Sequence, residues 1–220
     1  GGLSRFAARE CEPEFDAILV GPGLRDDDAT ARVVQGLRAT FPSVPLVLDG
    51  RAIGALQNDQ VFWNAHPAGG VLITPGAAEL ASLSGCTRES VVADRVGSAA
   101  RIARRWRVAV ALKGPAPCVC LPDGTAWGHA GGTAGLSTAG SGDVLAGVVT
   151  GLIARGASLE QAAVWGIALM ARAGESLAAR RGPIGYLARE LSEQIPGLML
   201  RLTPVPVSQD GARRAGSPAA

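Results

Sequence analysis

Asp143 follows a run of small residues, Gly140-Ser141-Gly142, and leads into the apolar, helix-compatible segment Val144 to Ala154. A helix opening there presents backbone N–H groups that lack intrahelical partners, at the positive end of its dipole, and so forms an anion site. A carboxylate at the same point can take the proton from a hydroxyl that is being phosphorylated. The same residues also suit an ordinary helix start, with Asp143 complementing the dipole. The apolar content of 143–154 predicts a helix buried almost all round, with its end acting in a low-dielectric site.

Four other short motifs close apolar runs: Gly21-Pro22-Gly23, Asp49-Gly50, Thr74-Pro75-Gly76 and Lys113-Gly114. Ligands of open parallel sheets bind beyond the carboxyl ends of the strands, so these motifs and the helix start describe one cleft. Each motif alone is a common turn. The runs themselves read as strands over 16–20, 44–48, 71–73 and 108–112. Helical patterns over 29–40, 54–64, 77–83 and 89–106 alternate with them, Thr87 lying near the start of the last. Pro122-Asp123-Gly124 joins 119–121 to 125–127 as a hairpin. Further helices are predicted over 143–154, from Ser158 (a capping box with Gln161) towards Arg180, and over 184–194. This order specifies an α/β protein with a mostly parallel sheet covered on both faces and one late hairpin.

The chain has 220 residues, of which 47% are hydrophobic, 4% are aromatic and 30 are glycine, so one large domain with an Ala/Val/Leu/Ile core is expected. A net charge of +2, with no basic stretch interleaved with aromatics, argues against nucleic acid. Arg101, Arg104, Arg105 and Arg107 read as a solvated helix face. The four cysteines form no CxxC pair, and only His66 and His129 accompany them, so a structural zinc site is not expected. Cys118 and Cys120 should point to one face of a strand as core thiols. The expected setting is cytoplasmic and reducing, and no apolar run is long enough for a bilayer. Trp63, Trp106, Trp127 and Trp165 read as core or rim packing, and His129 as a loop or strand residue. From Thr203 onward Pro, Gly, Ser and Ala dominate, which predicts a disordered tail.

Taken together and in order, the motifs resemble the ribokinase-like superfamily and, more narrowly, the ADP-dependent NAD(P)H-hydrate dehydratases. The resemblance is carried by Ile18-Leu-Val-Gly-Pro-Gly-Leu24, Leu46-Val-Leu-Asp49, Ile73-Thr-Pro75 with Glu79, and Leu112-Lys-Gly114. Pro122-Asp-Gly124, the Gly132 to Gly151 segment and Gly185-Tyr-Leu-Ala-Arg-Glu-Leu191 complete it, and Ser137-Thr-Ala-Gly-Ser-Gly-Asp-Val-Leu-Ala-Gly147 is its most specific part. It covers about residues 15–197. It implies a three-layer α/β/α sandwich over 15–200 that lacks the family's N-terminal part, with 1–14 as a remnant or linker and 201–220 as the tail.

The resemblance also implies an activity: ADP-dependent dehydration of NADHX and NADPHX through phosphorylation of the ring hydroxyl. Asp143 would then be the catalytic base, and the amides of Gly140, Ser141 and Gly142 the anion hole. Lys113, Gly114, Pro115, Ala116 and Pro117 would line the nucleotide (ADP, or ATP in some relatives) together with Gly142. Gly21, Gly23 and Gly76 would approach the substrate beside Asp143, or simply make turns. Asp49 and Glu79 would hold Mg²⁺ through water, or serve as a strand-end cap and a surface acid. Asp26-Asp27-Asp28 would complement the next helix's dipole rather than bind metal. A homo-oligomer and a functional link to an NAD(P)HX epimerase are also expected.

The chain departs from the family pattern in places. Gly76 stands at a usual histidine, Ala78 at a glycine, Arg51 at a second carboxylate, and Arg25 at a glycine. The asparagine usual before the signature is replaced near Thr133. Two alternatives stay open: a small-molecule kinase of the same superfamily, and a truncated, catalytically silent remnant with an exposed sheet edge.

Overall fold

The computed structural model of the chain describes residues 15–57 and 70–202. Trp63, His66, Cys11, the far half of the helix predicted over 54–64, residues 1–14 and the tail from 203 lie outside the described residues. Six strands form one sheet in the order β1-β2-β3-β4-β5-β6: β1 (Ile18–Val20), β2 (Leu46–Leu48), β3 (Val71–Ile73), β4 (Ala109–Leu112), β5 (Cys118–Cys120) and β6 (Ala126–Gly128). The first four are parallel, and β5 and β6 return antiparallel as the predicted hairpin.

Among the described residues, five elements lie in the three connections between the parallel strands. They are α1 (Asp27–Thr40), the 3-10 helix Gly50–Gln57, and the trio α2 (Ala77–Ser84), α3 (Arg88–Ala93) and α4 (Arg95–Trp106). Strands added successively in one direction by right-handed crossovers put every connection on the same face. The later helices α5 (Ser141–Ala154), α6 (Leu159–Arg181) and α7 (Ala188–Leu202) cover the opposite face. The period-2 alternation of strand side chains splits the core accordingly. Leu46, Leu48, Ile73 and Val110 face the first layer, whereas Val47, Leu72 and Ala111 face the second. All seven are fully buried, and each Leu or Ile contributes about 1.5–3 kcal/mol through burial. Cys118 and Cys120 share the first face, as their spacing requires.

Several predicted elements are corrected. The helix expected over 54–64 is a 3-10 segment starting at Gly50. The helix expected over 89–106 is two, because Asp94 leaves helical geometry (φ −133°, ψ 75°) and caps the Gly97 amide at 2.9 Å. Thr87 caps α3 as expected. The last helix runs over 188–202 rather than 184–194, and Pro196 is accommodated inside it because Leu191, Ile195 and Leu198 bury one face. Helix α5 starts at Ser141 and is not buried all round: Leu145, Ala146, Val149 and Ile153 are inside, but Asp143, Gly147, Gly151 and Ala154 are exposed.

Trp106 is buried, while Trp127 and Trp165 lie half exposed at the rim. Asp26 caps α1 through the Ala29 amide, with Asp27 and Asp28 in its first turn. No helix among the described residues is long and apolar enough to cross a membrane.

Candidate active site

Because β1 to β4 run parallel in sequence order, the motifs that close them meet at one edge of the sheet. The approach is tight. A Cβ on Gly21 (φ +135°) would lie 1.8 Å from the Asp49 carbonyl oxygen, so only glycine lets the β1 and β2 exits pass each other. Asp49 is buried, and its Oδ1 accepts the Thr74 hydroxyl at 2.7 Å and the Lys113 ammonium at 2.7 Å. Glu79 Oε2 accepts the Gly76 amide at 2.6 Å and lies 3.9 Å from the same ammonium. Both carboxylates assigned to magnesium therefore face Lys113.

The Lys113 ammonium also reaches the start of α5, where a Cβ on Gly142 would stand 2.9 Å from Nζ. Gly140 turns the chain into the helix with φ +86°, and the helix has no side-chain cap. The Ser141 amide donates to the Thr138 carbonyl at 3.2 Å. Of the three residues predicted to form the anion hole, Gly142 is therefore the one packed against the Lys113 side chain, and the Ser141 amide is already engaged. Asp143 follows in the first turn and is exposed.

Lys113, Gly114, Pro115, Pro117, Ser141 and Gly142 all line a cavity of about 500 Å³. Its far wall is the Gly131–Ser137 stretch, with Leu145, Ile167 and Met170 below. A charged corner facing an apolar slot of this size suits a nucleotide, phosphates to the corner and base to the slot. Ala116, predicted with this group, instead turns its carbonyl to Arg95 at 2.8 Å. Gly21, Gly23, Gly76 and Asp143 do not line the cavity; the first three sit at or beside the strand exits.

Other residues build the wall without having been singled out beforehand. Glu175 accepts the Gly132 amide at 2.9 Å, and buried Tyr186 shares a 2.6 Å hydrogen bond with Thr133. Tyr186 is the only tyrosine in the chain and lies in the Gly185 to Leu191 motif, a signal that could have marked it. Glu175 and Arg95 sit in ordinary helical patterns and carry no such signal.

The NAD(P)H-hydrate dehydratase family model matches residues 4–197. The chain belongs to the NAD(P)H-hydrate dehydratase family. It is 40% identical over 188 residues to the ADP-dependent (S)-NAD(P)H-hydrate dehydratase of Xanthomonas campestris, a match covering 85% of this chain and 62% of that protein. It is 36% identical over 206 residues to the bifunctional NAD(P)H-hydrate repair enzyme of Moorella thermoacetica, covering 92% of this chain and 38% of that one. The chain thus spans less than two thirds of the length of either relative.

Within this dehydratase family the fold also matches a solved structure. The ADP/ATP-dependent NAD(P)H-hydrate dehydratase of Bacillus subtilis, co-crystallised with ATP and Mg²⁺, superposes with a TM-score of 0.78 at 24% identity, over 92% of this chain and 70% of that one. A ribokinase-like superfamily protein of Enterococcus faecalis matches at 0.72 and 25% identity, over 84% of this chain and 63% of that one. The expected ribokinase-like α/β architecture is therefore the observed one.

Proposed function

We propose that the protein dehydrates NADHX and NADPHX, with ADP or ATP as phosphoryl donor. The supporting observation is the convergence of the Lys113 ammonium and Gly142 at the wall of the 500 Å³ cavity, with Asp143 the next residue along the helix. The nucleotide's base lies against Leu145, Ile167 and Met170, and its phosphates lie at Lys113, Ser141 and Gly142. The hydrated ring approaches from the strand-exit side, past Gly21, Gly23 and Gly76, to Asp143.

Asp143 takes the C6 hydroxyl proton. The freed oxygen bonds to the terminal phosphorus as the bond from that phosphorus to the nucleotide's bridging oxygen breaks. Lys113 and the Gly142 amide hold the charge that develops on the transferring group. The ring nitrogen's lone pair then expels phosphate by breaking C6–O, and loss of a C5 proton restores the double bond.

Among the described residues no cluster of three or more acids, histidines or cysteines could hold a metal, and Asp49 and Glu79 already face Lys113. A magnesium ion arriving with the nucleotide would be held by Asp49 and Glu79 through water, beside Lys113, because magnesium keeps several waters and needs few carboxylates. When bound it would neutralise phosphate charge. The same reading carries a cytoplasmic homo-oligomer, and a functional link to an epimerase because C6 of the hydrated ring is a stereocentre.

A coupled assay tests the proposal. NADHX should be consumed with ADP present, with NADH absorbance appearing. Formation of a phosphorylated vitamin from ATP, without NADHX turnover, would assign the chain to the kinases instead. A chain that binds nucleotide and turns over neither substrate would be the silent remnant.

A further inference from the structure

We infer that Arg95 is a positioning residue of the nucleotide site, setting the shape of the loop 113–117 from outside the cavity. This rests on the reading that the cavity takes ADP or ATP. Arg95 opens α4 directly after the Asp94 break, and it does not line the cavity. Its side chain crosses to the β4–β5 connection, where Nη2 donates to the Lys113 carbonyl at 2.7 Å and Nε donates to the Ala116 carbonyl at 2.8 Å. Between these two bonds Gly114 (φ +142°) packs closely on the guanidinium: a Cβ there would stand 2.7 Å from Nη2 and 3.1 Å from Nη1.

The consequence follows from peptide geometry. The loop holds Pro115 and Pro117, so beyond Lys113 it has two amide donors, at Gly114 and Ala116. In a trans peptide the carbonyl and the N–H point opposite ways. Drawing the Lys113 carbonyl to Arg95 therefore turns the Gly114 N–H away from the guanidinium, to the cavity side. The same bond anchors the backbone from which the Lys113 side chain reaches Asp49 and Gly142. On the other flank, the Lys113 amide donates to the Pro75 carbonyl at 2.8 Å and the His129 amide to the Pro117 carbonyl at 3.0 Å. Arg95 thus supplies the clamp the sheet cannot. A lysine there keeps the charge but loses the planar fork that spans two carbonyls.

The test measures ADP and ATP affinity by calorimetry, with steady-state kinetics, for the wild type, Arg95→Ala, Arg95→Lys and Asp143→Asn. Arg95→Ala should raise the ADP Kd and KM about tenfold, with kcat changed less than about threefold and the NADHX KM unmoved. Arg95→Lys should recover only a small part of that affinity, and it carries the test if the alanine variant fails to fold. Unchanged ADP affinity in a folded Arg95 variant, or a loss confined to kcat and Tm, would overturn the inference. Wild-type protein that binds neither nucleotide would overturn it together with the functional reading. Wild-type protein that binds ADP but leaves NADHX intact would overturn the reading alone.

Discussion

Lys113 Nζ lies 2.7 Å from Asp49 Oδ1, joining the ends of β4 and β2 across β3, and Thr74, the residue that follows β3, donates its hydroxyl to the same oxygen. Three strand exits are thus tied at one atom. The carboxylate side chain is 4% exposed and the lysine 23%, so the pair sits where water screens it poorly. Asp49 holds the ammonium between the cavity and the first turn of α5. An untethered lysine would spend most of its time elsewhere.

Asp49→Asn should therefore weaken nucleotide binding and slow turnover together. Replacing the acid removes one of two charges from a mostly buried pair, and a destabilisation of about 1–3 kcal/mol is expected. Thermal melts with and without ADP measure the stability and binding effects, and the NADHX assay measures turnover. An unchanged ADP-induced Tm shift would show that Lys113 needs no tether.

Asp143→Asn separates binding from chemistry. The residue stands outside the cavity wall, so the ADP-induced Tm shift should persist. Turnover should fall by about 10²–10⁴-fold, the range for a lost general base. Retained turnover would remove the assignment of the base.

Gly142→Ala should act in opposite directions on stability and function. The new methyl would meet only the flexible end of Lys113, at 2.9 Å, so the ammonium moves and the helix stays. Alanine in place of glycine within a helix stabilises by about 0.5–1 kcal/mol. We expect an equal or higher Tm, with ADP affinity reduced several-fold by calorimetry.

Gly21→Ala should act on the fold. A Cβ at 1.8 Å from the Asp49 carbonyl, at φ +135°, forces the β1 and β2 exits apart. A loss of about 3 kcal/mol is expected from strain and overpacking, measured by urea denaturation.

Glu190 gives a pH signature. The Leu187 amide, and then Arg181, hold its carboxyl below the usual glutamate value of 4.5. A depressed folded pKa means the contribution is complete above pH 4.5 and is lost as pH falls through the folded value. Wild-type stability should therefore approach that of Glu190→Gln below pH 4.5 and exceed it at neutral pH, as read by melts across pH 3–7.

Much of this architecture is legible in short stretches of chain, where the physics is local. Asp26, Thr87 and Ser158 cap the helices that follow them because a side-chain oxygen needs only an amide three residues on. The hairpin at 122–124 and the common face of Cys118 and Cys120 are equally local. The errors have two sources, one local and one long-range. Asp94 breaks a pattern that reads as one helix because its side chain finds the Gly97 amide, and Pro196 is tolerated because α7 packs on the second core. Apolar composition could not reveal that α5 leaves Asp143, Gly147 and Gly151 uncovered, since covering depends on neighbours far along the chain.

Residue types and their short-range spacing were enough to mark Asp143, Lys113 and the strand-end glycines, and to imply a parallel sheet with a cleft at its carboxyl edge. They could not set Lys113 against Asp49, 64 residues away, or bring Arg95 beneath Gly114. Those contacts depend on the strand order and on which layer each helix joins, and long-range packing settles both. A carboxylate reads the same in any loop; its partner is chosen when the sheet closes.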